Sequence, residues 1–224
     1  IAANFLVGAA LISAMVDVPV VTALLVDMND VSRVAALMLA PFTACIAALS
    51  LAGGYFTTRY GGRTTTVAGF LLVTLGYGLL WVGLRSGSLQ GMLPGLVVAG
   101  AGFGLSFAPI GSTAIDAAPE VDRGIASGMT LVFRLLGMTT GISLLTAIAI
   151  RRLQGLVGDL TMIVQAPGES TSDFLARQTT MLYETVLPIS LQVARESFLV
   201  AGAIALLGII PAMRFANGKT SDRS

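Results

Sequence analysis

The chain has no histidine and one cysteine, and only 11% of its 224 residues are charged. Each shortage removes a class of function. Without histidine there is no base for a Ser/His/Asp or Cys/His nucleophile system. With no cluster of cysteines or carboxylates at ligand spacing, there is no metal site to build. Cys45 lies alone inside an apolar run, so no internal disulfide forms. A soluble domain carries about 25% charged residues. This chain carries less than half of that, 55% of it is hydrophobic, and its mean hydropathy is +0.86. Those values define an integral membrane protein. A net charge of +1 gives no basic surface for nucleic acid. The chain begins at Ile1, already close to an apolar run, and is expected to be part of a longer protein.

What is present is a series of six apolar runs, at 4–26, 34–55, 64–84, 92–115, 123–152 and 197–213. A run of about 20 apolar residues crosses a bilayer core as a helix. The expected fold is therefore an all-α membrane protein of six transmembrane helices. Its expected organisation is five membrane helices within 1–150, a helical extension with a loop at 151–196, a last membrane helix at 197–214 and a polar tail at 215–224.

The fifth run is the most informative. Between Arg123 and Arg151 lie 27 residues with a single charge, Arg134. An arginine near a membrane-helix centre costs about 2.5–3.5 kcal/mol on insertion scales and is expected to face a partner or a watery cavity. Gly124, Gly128, Gly137 and Gly141 form two GxxxG pairs, which permit close approach of another helix. In the first run Asp17 stands beside Pro19, and a proline frees a backbone carbonyl in a membrane helix. This pattern points to a kink lining a cavity, or else to an aspartate near enough the interface to be solvated. Asp17 is the one acid inside these runs and so one available partner for Arg134; acids outside the chain are the other.

Several further stretches bear on organisation. The segment 100–104 reads GAGFG, but no strand precedes it and no acid follows at dinucleotide-site distance; packing glycines are the better reading. The segment 54–63, GYFTTRYGGR, reads as a tight polar loop. Within 151–196, Leu153, Leu156, Val157, Leu160 and Val164 recur at helical spacing on one arm, and Leu182, Val186, Ile189 and Val193 on the other. Two membrane helices that continue beyond the bilayer account for this, as do two amphipathic segments lying on the membrane surface. Ser172 or Asp173 is positioned to cap the second arm. Six crossings put both ends on one side, but Lys and Arg are shared evenly between the two sides, so charge does not orient the chain.

At 54–63 the sequence resembles the major facilitator superfamily. Gly54, Arg59, Gly61 and Arg63 match its loop signature, with Thr58 where the signature has an acid. Such a loop joins the second and third helices of each six-helix half, as here, and the missing acid is typical of the second half. The resemblance implies helices seven to twelve of a transporter whose other partner is an N-terminal six-helix half. The glycine-rich fourth run, followed by RGIASGMTLVFRLLGMTTG, is similar to the fourteen-helix drug:proton antiporter branch. The Asp17-Val18-Pro19 segment and the lengthened last helices are similar to the mycobacterial triacylglyceride and lipoglycan exporter group.

The resemblance further implies a location in the bacterial inner membrane, with 54–63, 116–123 and the tail cytoplasmic. It implies a cytoplasmic gate at Gly54, Arg59, Gly61 and Arg63, and transport or coupling roles for Arg134 and Asp17. The energy source would be a proton gradient, with no bound cofactor. The substrate would be a lipophilic small molecule or a lipid. The apolar arms, Leu153, Leu156, Val157 and Leu160 with Leu182, Val186 and Ile189, would then either pack on one another or form a path for a lipid tail. A channel, or a non-transporting anchor or receptor, stays open on residues alone. A channel would ring its pore with repeated carbonyls or charges, and an anchor has no need of Asp17 and Arg134. An enzyme is disfavoured by the missing histidine.

Overall fold

The computed structural model describes residues 1–157 and 170–213. Leu160 and Val164, the residues 214–224 with the polar tail, and the side chain of Val157 lie outside the described residues. The chain is an all-α membrane protein. Its helices are α1 (Ala2–Leu25), α2 (Val31–Tyr60), α3 (Gly62–Gly83), α4 (Leu93–Asp116), α5 (Arg123–Val157), α6 (Thr171–Met181), α7 (Leu187–Leu207) and α8 (Ile209–Met213). Among the described residues six helical stretches are long and apolar enough to cross a membrane. The sixth is composite. It runs from Thr171 to Met213 through α6, a π-helical turn at Leu182–Val186, α7 and α8.

Helices are the form such a sequence must take, because lipid offers no hydrogen bonds to an open backbone. Pro19, Pro41 and Pro109 lie inside α1, α2 and α4 without ending them. The hydroxyls of Thr22, Thr66 and Ser106 each donate to the carbonyl four residues earlier, so these polar side chains are satisfied within their own helices.

The core is organised around α4, which is wedged between α2 and α3. In its most apolar window 61% of residues are buried, against 17% for α2 and for α5. Glycine makes this wedge possible. A β-carbon on Gly100 would come within 2.5 Å of the Phe42 carbonyl oxygen, and one on Gly102 within 2.6 Å of that of Gly69. The packing-glycine reading of 100–104 is thus borne out. Phe103 of α4 and the rings of Phe42, Phe70, Tyr77 and Phe198 from α2, α3 and α7 are fully buried. Phe103 meets Phe42 edge-on at 6.0 Å, and Tyr77 stacks on Phe198 at 6.3 Å. The Tyr77 hydroxyl donates to the carbonyl of Ala10, tying α3 to α1.

Helices α1 and α5 run parallel. Gly137 faces Phe5 and Gly141 faces Ala9, with a β-carbon on Gly141 falling 2.7 Å from the Ala9 Cα. In return, Gly8 faces the backbone of Arg134 and Met138. Gly124 and Gly128, expected to do the same, have nothing within 4 Å. They lie on the early part of α5, beyond the start of α1, where no described helix reaches them.

Two sequence expectations need correction. The segment 54–63 is not a loop: α2 continues to Tyr60, α3 begins at Gly62, and only Gly61 leaves the helix, with φ +87°. Thr57 and Thr58 give their hydroxyls to the carbonyls of Gly53 and Tyr55, so the polar sequence stays helical rather than opening. The second arm is capped by Ser170, whose side chain accepts from the Ser172 amide, and not by Ser172 or Asp173. That arm is helical into the membrane. Pro188 has no N–H to give to Glu184, and the π turn Leu182–Val186 ends two residues before it, a local adjustment of the kind that accommodates a proline in a membrane helix.

Candidate functional site: a polar node and a crevice

The sixth stretch and α5 are longer than a bilayer requires. At 1.5 Å per residue the 35 residues of α5 extend about 52 Å, against about 30 Å of hydrocarbon. Arg134 lies eleven residues inside α5, so it is about 16 Å from the helix start and deep in the apolar layer. Its Nη2 donates to Oδ1 of Asn4 at 3.2 Å. Its guanidinium lies 4.3 Å above the centre of the Phe107 ring. The node therefore joins α1, α4 and α5. It is incompletely satisfied: Asn4 is fully buried and its Nδ2 has no partner, nor does the buried Nε of Arg134.

Asp17 is not the partner of Arg134. The two belong to different levels: thirteen residues of α1 separate Asn4 from Asp17, about 20 Å along the helix. Asp17 instead accepts from the Ser13 hydroxyl at 2.6 Å, one turn earlier on the same helix. It faces a crevice between α1, α5 and α7. One part, about 160 Å³, is lined by Ile12, Ser13, Asp17, Leu145 and Ala149. The next, about 240 Å³, shares Asp17 and Ala149 and adds Leu24, Leu153, Ser190 and Val193. A third, about 340 Å³, shares Leu24 and Ser190 and adds Leu182, Val186, Asp27 and Met28. The three lie in sequence along α1, apolar except for a few polar side chains.

Sequence reasoning placed Leu153, Leu182 and Val186 on a common apolar surface. They do line neighbouring parts of one crevice, but through α1 rather than by meeting arm to arm. Leu156 and Ile189 are half-buried. A bidentate pair that the sequence did not announce joins α5 to α7: Arg152 donates to Glu196 through Nε at 2.6 Å and Nη2 at 3.2 Å. Being exposed, such a pair contributes little to stability and serves mainly to fix the two helices in register.

At the other end lie the residues to which the resemblance gives a gate role. Arg59 Nη1 donates to the Tyr55 hydroxyl at 2.9 Å, and its guanidinium lies 5.7 Å from the Tyr60 ring centre. Neither Arg59 nor Arg63 has an ion pair among the described residues. Gly54 is exposed with nothing within 4 Å, and it is Gly53 that faces α4, 3.2 Å from the Leu105 oxygen to an added β-carbon. Asn4 and Phe107 went unnoticed in the sequence; a lone amide in the first apolar run was the signal for the former.

Fold and site together define a multi-pass membrane protein with a half-buried guanidinium at a three-helix node and a lengthwise apolar crevice. No protein-family profile matches the chain. It is similar to a triacylglyceride transporter of Mycolicibacterium hassiacum, with 29% identity over 187 residues, covering 79% of this chain and 35% of that protein. It is similar to a triacylglyceride transporter of Mycobacterium tuberculosis, with 31% identity over 175 residues, 72% of this chain and 33% of the relative. It is also 34% identical over 116 residues to the multidrug resistance protein Stp of Mycobacterium tuberculosis, 51% of this chain and 21% of Stp. The chain spans about a third of the length of the triacylglyceride transporters it matches.

Proposed function

We propose that the chain forms the second six-helix half of a proton-coupled major facilitator exporter that moves lipophilic compounds, lipid foremost, across the bacterial inner membrane. The crevice carries this reading. It runs along α1 from Ile12 to Leu24 and continues to Leu182 and Val186 on the second arm. Its α1 portion alone is about 18 Å long, enough for much of an extended acyl chain, and its walls are chiefly aliphatic. The relatives named as triacylglyceride transporters support the substrate class. In this mechanism two six-helix bundles rock about a central site, Arg134 faces the cavity between the halves, and the arms guide a lipid tail from the membrane. The similarity to Stp favours a second reading, a plain multidrug:proton antiporter without a lipid role.

Filling the crevice separates the two. Ala149→Phe, made in the whole transporter and reconstituted in liposomes, is expected to reduce export of a long-chain triacylglyceride at least tenfold. Efflux of a small dye and the melting temperature should stay unchanged. Lipid export at the wild-type rate would remove the lipid path and leave the antiporter.

Orientation has its own check. With Cys45 replaced, a cysteine at Thr58 is expected to react with an impermeant thiol reagent only in opened cells. A cysteine at Ser170 should react in intact cells with a permeabilised outer envelope. The reverse pattern would overturn the orientation, and with it the assignment to this superfamily.

A further inference from the structure

Trp81, the one tryptophan of the chain, stands near the end of α3 with two guanidinium groups over its ring. Arg85, from the 3-10 turn Leu84–Ser86, has its Cζ 5.1 Å from the ring centre, and Arg195, from α7, has its Cζ 5.3 Å away. Each cation is attracted to the ring face, but two like charges at one ring repel unless something neutralises them. Among the described residues neither forms an ion pair with a carboxylate. The acid next to Arg195, Glu196, is held by Arg152 at both oxygens and by Gln192 at one, and it reaches Arg195 only through space, as a weaker charge–charge attraction without a hydrogen bond. Arg195 also has a buried Nε with no hydrogen-bond acceptor.

The turn that carries Arg85 is firmly held. Leu84 and Met92 are buried at its two ends, Gly83 lies against the Gly91 carbonyl, and Gly87 takes φ +63°. The arrangement is therefore a built cluster of two cations without an ion pair, one orphaned donor and an indole. It lies where a membrane helix ends, the level that indoles favour. At that depth the abundant anion is the phosphate of a lipid headgroup, and arginine is the side chain suited to bind it in a bidentate way.

We propose that Arg85, Trp81 and Arg195 form a binding site for the phosphate of an anionic membrane lipid, in the leaflet opposite the end that holds the Gly61 turn. The inference depends on the membrane setting alone and not on the transport reading.

Trp81 reports on its own site. The protein, with Trp81 as its sole tryptophan, is placed in phosphatidylcholine nanodiscs containing either phosphatidylglycerol or phosphatidylcholine with brominated chains at equal mole fraction. Brominated phosphatidylglycerol is expected to quench Trp81 several-fold more than brominated phosphatidylcholine. That excess should vanish in Arg85→Gln/Arg195→Gln and survive in Arg33→Gln, an arginine outside the site. If the double variant fails to fold, Arg85→Gln alone, at an exposed position, should remove at least half of the excess. Equal quenching by the two lipids in the wild type, or an excess that survives loss of the arginines, overturns the proposal. Millimolar inorganic phosphate in pure phosphatidylcholine nanodiscs is expected to leave Trp81 emission unchanged. If it shifts the emission and abolishes the phosphatidylglycerol excess, the ligand is a soluble anion and the lipid assignment fails.

Discussion

Gly137→Leu is expected to abolish stable folding, while Gly128→Leu, the same change nine residues earlier on the same helix, is tolerated. At 137 the new β-carbon collides with the carbonyl oxygen of Phe5, which is backbone and cannot rotate away. The two helices must then separate, and with them go the paired contacts of Gly141 with Ala9 and of Gly8 with Arg134. Overpacking a core usually costs about 1–3 kcal/mol and more where nothing can yield, a large fraction of a total stability of about 5–15 kcal/mol. At 128 there is nothing within 4 Å, and exchanging glycine for leucine in a helix interior gains up to about 1 kcal/mol of propensity. Thermal unfolding in detergent should show a lost or strongly lowered transition for the first variant and an unchanged or raised one for the second. Equal melting temperatures for the two would refute the packing account of α1 and α5.

Arg134→Leu should end transport and also destabilise the protein, and a second substitution should tell those effects apart. Removing the guanidinium takes away the donor to Asn4, a fully buried amide whose nitrogen already lacks a partner. Leaving a buried polar group unsatisfied costs about 1–3 kcal/mol, whereas replacing both partners by apolar groups is often nearly neutral. The double variant Asn4→Leu/Arg134→Leu is therefore expected to recover most of the lost melting temperature and none of the lipid or dye efflux. Arg134→Lys should restore little, since a lysine offers a point charge where the fork reaches Asn4 and the planar face lies on Phe107. Wild-type efflux by either Arg134 variant at equal expression would show that the node is only a structural clasp.

The sequence disclosed the helices more completely than it disclosed their meeting points. Six apolar runs were plain because each had to supply its own backbone hydrogen bonds, and the glycines of 100–104 announced close packing because no other residue lets backbones approach so far. The helical continuation of 54–60 was hidden, since glycine, threonine and tyrosine are common to loops and to helix ends alike. The partner of Arg134 was hidden for a different reason. Composition singles out charges, so Asp17 drew attention, but the register of α1 against α5 puts Asp17 level with Ala149 and leaves Arg134 to Asn4. A one-dimensional reading has no access to that register, which is decided by Gly8, Gly137 and Gly141 together. The crevice was half legible: its apolar walls showed as helical stripes, while its third wall, α1, was apolar on every side but for a few scattered polar residues and carried no stripe.

Gly61 alone joins two long helices that touch little beyond it, because α4 stands between them. A single residue has two soft torsions, and each added helical residue turns the rest of the chain by about 100°. One extra residue at this corner would therefore swing the whole glycine-lined face of α3, with Gly69 and Gly76, away from α4. Length variation among sequences of this kind should consequently be absent at position 61 and collect at the link after α1, where residues 26–30 lie outside any helix and can absorb it. A one-residue joint between two long helices is in this sense hard to edit, a place where evolution can exchange letters but not insert them.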